Sequence, residues 1–224
     1  MALRTTSEAR NHWADLDGAW RAVLQLAWEA YRAGGEPVGA VVVRPEGSIL
    51  AKGRNHVFEH RRGPGALPGG PLAHAAVVAL SALDPFERHD DFTLVVSIEP
   101  CLLCIGATVA AAVGAIRYAA ADFYAGAASA LPSNPETDRL ELKIDGPLEG
   151  PFGLMAGALR LEPFVRLNPE GHVVRWAAER DPAALRLAQV WATRGTLQTA
   201  ADERTSLSEL IPSIWKSLAA AAGG

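Results

Sequence analysis

Leu94-Val95-Val96 constrains the fold more than any other stretch: three consecutive apolar residues in a run, 93–97, too short for a helix. A strand that is apolar on both faces has to be covered on both, so its sheet carries helices above and below. The flanking pattern agrees. Trp20, Val23, Leu24, Ala27, Trp28 and Tyr31 fall at offsets of 3, 4, 7, 8 and 11 from Trp20, on one face of a helix that Asp17 can cap and that Gly34, Gly35 and Pro37 end. Residues 38–43 form a short β-branched run, Pro45-Glu46-Gly47 turns the chain, and 48–53 return as a second arm. A loop rich in Gly and Pro (54–72) precedes a short buried helix over 75–83, closed by Asp84-Pro85. Pro100 opens a helix over 101–113 that Gly114 ends, and 115–119 read as the next strand. Helix, hairpin, helix, strand, helix, strand is the order of an α/β sheet with helices on both faces.

The chain has 224 residues, enough for one large domain or one domain with an appendage. A hydrophobic share of 49% against 21% charged supports a sizeable buried core and excludes a disordered chain. Net charge is −4, from 21 basic and 25 acidic residues, which argues against a long electrostatic footprint on nucleic acid and leaves room for a local basic patch. The best membrane candidate, 102–113, falls well short of the ~20 residues a spanning helix needs. Met1-Ala2-Leu3-Arg4-Thr5 lacks the apolar core of a secretory signal. A cytoplasmic location and no membrane partner are expected.

Beyond about residue 125 the pattern weakens. Asp181-Pro182 and Gly195 bracket one helix, and Ser206 with Glu209 makes a capping box for another whose first turns Pro212 disturbs. Asn168-Pro169-Glu170-Gly171 signals a turn, read as a hairpin within 161–175. The organisation expected is a loose arm over 1–15, a core over 16–129, and a mainly helical C-terminal extension over 130–224 packed on that core.

The two cysteines of the chain, Cys101 and Cys104, exclude a secreted disulfide framework. At i and i+3 in the first turn of a helix they point the same way, and the positive helix end favours their thiolates. His74, at the start of another helix, supplies a third ligand. Two thiolates and an imidazole suit tetrahedral Zn²⁺ and leave a fourth position open, the mark of a catalytic rather than a structural site. Three plainer readings compete: a redox pair, a structural zinc completed by His56 or His60, and a histidine that is only packed near the core. The redox pair leaves His74 unexplained. Asn55 is as readily a turn residue as a ligand. His60-Arg61-Arg62 reads as a solvated loop, with a phosphate clamp as the sharper option. Glu99 reads as a helix-start carboxylate.

Leu72-Ala73-His74-Ala75-Ala76-Val77 and Ser97-Ile98-Glu99-Pro100-Cys101-Leu102-Leu103-Cys104 resemble the signature of the zinc-dependent cytidine deaminase superfamily, His-x-Glu followed later by Pro-Cys-x-x-Cys. The resemblance runs over roughly 20–124, includes Pro37-Val38-Gly39-Ala40-Val41-Val42 and Gly53-Arg54-Asn55, and is strongest to the nucleoside and nucleobase branch that holds tRNA adenosine deaminases and guanine deaminases. It implies a three-layer α/β/α sandwich on a mixed sheet of about five strands. It also implies Zn²⁺ on His74, Cys101 and Cys104, and hydrolytic deamination of a base or nucleoside, water attacking the carbon that bears the amine and ammonia leaving. Asn55 would bond the sugar or ring, the Ala75 N–H a ring substituent, and Val38 would line the pocket. Phe123 or Tyr124 is placed by position alone as a residue closing over the base. A homodimer with its interface near the site is expected.

One position departs from the pattern. Ala76 stands where the family has its glutamate, the group that takes a proton from the water, delivers it to the ring and protonates the leaving amine. A methyl group does none of this, and general acid–base help is worth roughly 10²–10⁴-fold. The chain as written is expected to be nearly inactive. Either it is a natural pseudoenzyme that binds ligand without catalysis, or Ala76 replaces a glutamate and leaves a form that traps its substrate. Retention of all three metal ligands favours the second. A tRNA-editing adenosine deaminase is the other enzymatic alternative, and it lacks the basic surface such a role needs.

Overall fold

The computed structural model describes residues 2–59, 69–129 and 135–222, so the His60-Arg61-Arg62 cluster lies outside the described residues. A mixed five-stranded sheet runs β2 (Ile49–Arg54), β1 (Gly39–Val43), β3 (Thr93–Ile98), β4 (Ala115–Ala120), β5 (Lys143–Asp145). β1 is antiparallel to both of its neighbours, while β3, β4 and β5 are parallel. The period of two in the strands sorts side chains into two cores. Val41 and Val95 face the layer of α2 (Gly18–Arg32) and the C-terminal helices, whereas Ala40, Val42, Leu94 and Val96 face α3 (Ala75–Leu80) and α4 (Leu102–Ala110). The result is the three-layer α/β/α sandwich expected, with a mainly helical C-terminal part.

That part contributes α5 (Pro135–Leu140) and β5, then α6 (Pro151–Leu167), α7 (His172–Arg180), α8 (Pro182–Arg194), α9 (Thr196–Asp202) and α10 (Leu207–Ala222). Leu159, Trp191 and Trp215 share one continuous core with Trp20, Leu24 and Trp28 of α2. A polar knot pins the layers at one point. Glu162, fully buried on α6, accepts from the Tyr31 hydroxyl at 2.8 Å and from the Gln198 amide. Trp28 is fully buried, and its indole N–H donates to the Thr205 carbonyl at 2.9 Å. Trp28→Ala is expected to cost about 3–5 kcal/mol, the range for deleting a buried aromatic, read as a fall in the urea midpoint at unchanged slope.

Two expectations are corrected. The stretch read as a loose arm is helical: α1 spans Ala2–Asp15, with Ala9 buried, His12 stacked on Trp215 at 5.0 Å, and Trp13 against Phe152 at 5.7 Å. Its apolar contacts are too sparse to give a period, so only the packing partner reveals the helix. The turn at Asn168–Gly171 exists, but it joins α6 to α7 and not two strands. A turn signal identifies the reversal and leaves the flanking elements open.

Candidate metal centre

Backbone contact brings the two ligand helices to the sheet. A Cβ on Gly53 of β2 would lie 2.3 Å from the Ala75 carbonyl oxygen and 2.5 Å from the Ala79 nitrogen, so α3 rests directly on the strand backbone because that residue is glycine. His74 is the N-cap of α3 and Cys101 the N-cap of α4, with Cys104 three residues on in its first turn. Gly53→Ala is therefore expected to displace α3 and weaken zinc binding by about 10–100-fold, the range for disturbing a ligand's support, measured by competition with a chelator while far-ultraviolet circular dichroism stays native.

The three side chains converge. His74 Nδ1 lies 3.5 Å from Cys101 Sγ and 3.6 Å from Cys104 Sγ, and the sulfurs are 3.7 Å apart. A tetrahedral Zn²⁺ with Zn–S of ~2.3 Å and Zn–N of ~2.0–2.1 Å sets its sulfurs ~3.75 Å apart and each sulfur ~3.55 Å from the nitrogen. The donor set and all three spacings fit zinc. Among the described residues this is the one cluster of three or more metal-ligating groups with such convergence. Both cysteines are free, and a bare redox pair leaves the convergence of His74 on both sulfurs unexplained. His56 does not complete a structural site, since its ring pairs with Glu59 at 3.1 Å, and His60 lies outside the described residues. Without a metal, the adjacent Cys104 sulfur, hydrogen-bonded to Cys101, pulls the Cys101 thiol down to about 3, while Cys104 is driven up by the same contact and by burial. The Cys101 contact raises His74.

The triad opens into a cavity of about 390 Å³. Val38, Asn55, Ala75, Ala76 and Tyr124 line it, as does Glu36, which the sequence did not single out. Asn55 is buried, and its two polar ends divide the competing readings. Its Oδ1 accepts from the Val57 N–H at 2.9 Å, as a turn residue's does, while its Nδ2 has no hydrogen bond among the described residues. Ala75 begins α3, so its N–H has no intrahelical acceptor. Phe123 is not among the residues lining that cavity: it lines an adjoining small hollow with Trp176, to which Tyr124 also contributes, and is 42% exposed. Glu99 is a loop anchor and not a helix-start charge, its carboxylate accepting from the Asp122 and Ala128 N–H groups at 3.1 and 3.0 Å.

The remaining wall comes from the C-terminal part: Arg160 and Phe164 of α6, Asn168 and Gly171 of the turn, and His172 at the start of α7, whose ring meets Tyr124 at 4.7 Å. None of these was found from sequence. A signal did exist for Arg160 and Glu162, two charges inside an otherwise apolar run that only paired burial explains.

Comparison with known proteins gives the same reading of the core. Residues 15–120 match the cytidine and deoxycytidylate deaminase zinc-binding region. A tRNA(Ile)-lysidine synthase of Deinococcus radiodurans is 38% identical over 115 residues, 50% of this chain and 18% of that protein. A guanine deaminase of Bacillus subtilis is 38% identical over 102 residues, 43% of this chain and 59% of that protein. A tRNA-specific adenosine deaminase of Haemophilus influenzae is 31% identical over 110 residues, 48% of this chain and 59% of that protein. The chain thus spans about a fifth of the synthase and about three-fifths of each deaminase. With its signature spacing, its converged ligands and this match, the segment 15–120 belongs to the cytidine and deoxycytidylate deaminase zinc-binding family, and its cofactor is Zn²⁺.

Proposed function

We propose that this chain is a zinc-dependent deaminase scaffold for a nucleobase or nucleoside, held in a binding-competent state with little turnover because position 76 is alanine. The observation that carries the reading is the spacing of 3.5, 3.6 and 3.7 Å within the His74, Cys101 and Cys104 triad, at the wall of a cavity of heterocycle size. Zinc, when bound by these three residues, supplies a Lewis acid that makes water nucleophilic near neutral pH. The chain's own groups bind and orient. Asn55 offers Nδ2 to the sugar or ring, Ala75 offers its N–H, Val38 supplies an apolar wall, and Tyr124 bears on the face of the base. Ala76 moves no proton, so the ring nitrogen and the departing amine lack their carrier.

The test has two arms on the zinc-loaded protein. Calorimetry against amine-bearing bases and nucleosides is expected to show binding, and ammonia assays on the same panel are expected to show none released. Absence of binding overturns the reading. A natural pseudoenzyme gives the same first result and differs on restoring glutamate, as argued below. The tRNA-specific relative favours a second reading, adenosine deamination in tRNA. It predicts a shift of tRNA whose affinity falls steeply with salt, and the net charge of −4 weighs against it.

The proposal extends to a cytoplasmic homodimer. Leu102 (66% exposed) and Leu103 stand beside the ligand cysteines, and Leu72 and Phe58 are also exposed, the apolar surface a partner copy near the site would cover. Two cysteines spent on one metal suit a reducing compartment. Sedimentation velocity is expected to give a dimer that Leu102→Glu converts to a monomer.

A further inference from the structure

We propose that Arg160 is a specificity-determining residue, its guanidinium reading a ring carbonyl of an uncharged, amine-bearing heterocycle and disfavouring phosphorylated forms; this rests on the base-binding reading above. Arg160 comes from α6, outside the family segment, and is 8% exposed while lining the cavity. One of its nitrogens, NH2, serves both anchors: it donates to Asp122 Oδ2 at 3.0 Å and lies 3.2 Å from Glu36 Oε1. Phe164 covers one face, the guanidinium carbon lying 5.3 Å from the ring centroid. Nε and NH1 take no hydrogen bond among the described residues, and neither is sealed inside the protein. Arg160 lines the metal cavity and the small hollow beside it, and its free N–H groups, open to solvent, can give hydrogen bonds to an acceptor that enters.

The charge around it decides which acceptor. Glu36, Glu99 and Asp122 line the same cavity against the single guanidinium, and two of the three touch it directly. A Zn²⁺ on two thiolates adds no net charge. A phosphate brought to Arg160 would therefore also meet the Glu36 and Asp122 carboxylates, which cancel the attraction. A carbonyl oxygen takes the free N–H groups with no such opposition. An amino group in its place would set donor against donor. The volume of about 390 Å³ is at the small end of ligand pockets, which run ~300–1,000 Å³, and admits one base or nucleoside.

The experiment is calorimetry on the zinc-loaded chain with guanine, 2,6-diaminopurine and guanosine 5′-monophosphate. The first two differ in one substituent, oxo against amine. The expected result is guanine binding about tenfold or more tighter than either of the others. Arg160→Lys keeps the charge and loses the planar fork, and is expected to shrink the preference over diaminopurine to below about threefold. Its zinc content and circular dichroism check that the site survives; should it misfold, the native-chain comparison alone decides. Equal binding of guanine and diaminopurine, tighter binding of the monophosphate, or an undiminished preference in a folded Arg160→Lys overturns the assignment while leaving base binding intact. Failure of all three ligands, and of the other bases and nucleosides, on zinc-loaded protein overturns the base-binding reading itself and this assignment with it.

Discussion

Ala76→Glu is expected to raise ammonia release from a bound base or nucleoside by about 10²–10⁴-fold over the present chain, the range for a well-placed general acid–base group. At ~1.36 kcal/mol per decade this is a lowering of the barrier by about 3–5 kcal/mol. Position 76 lies two residues after the ligand His74, in the first turn of α3, and lines the cavity, so a longer side chain there enters the space beside the metal. The methyl now present packs at 1% exposure and donates nothing. Ala76→Gln is the control, since it restores size and polarity without a transferable carboxyl proton and is expected to stay at the level of the present chain. Activity with glutamate alone identifies the proton carrier as the missing part. Inactivity of both variants, with ligand still bound, supports the pseudoenzyme.

Cys104→Ala is the second large effect. Cys104 is the more buried of the two cysteines and lies 3.6 Å from His74 Nδ1 and 3.7 Å from Cys101 Sγ. Its loss leaves one thiolate and one imidazole, below the three protein ligands an open zinc site uses. Zinc affinity is expected to fall by more than the 10–100-fold that an outer partner costs, read by chelator competition. The apolar core is expected to hold, because Cys104 also lines the cavity and larger side chains, Val42, Leu94, Val96 and Ile116, fill the cluster it belongs to. A fall in zinc affinity with little change in the urea midpoint of the metal-free protein separates a ligand role from a packing role. Unchanged affinity would remove Cys104 from the ligand set.

The half of the molecule written in strong patterns could be read from the chain. Leu94-Val95-Val96 announced a strand covered on both faces, and β3 is the central strand of the sheet. Cys101 and Cys104 at i and i+3, together with His74, lie within bonding range of one ion. What could not be read depends on partners far away in sequence. The cavity wall built by Arg160, Asn168 and His172 exists only because α6 packs across β4 toward α2, and no local period encodes that docking. α1 escaped notice for the same reason, since its apolar contacts, Ala9 and Trp13, acquire meaning only against α10 and Phe152. Tyr124 and Phe123 were equivalent as neighbours in sequence. The loop held by Glu99 and Asp122 places Tyr124 at both the cavity and the adjoining hollow, and Phe123 at the hollow alone, beside Trp176.

The most direct measurement is X-ray absorption at the zinc edge, with elemental analysis, on the protein purified without added metal. One zinc per chain is expected, with two sulfurs at ~2.3 Å, one imidazole nitrogen at ~2.0–2.1 Å and one further light atom. No bound metal, or a first shell without sulfur, would contradict this coordination.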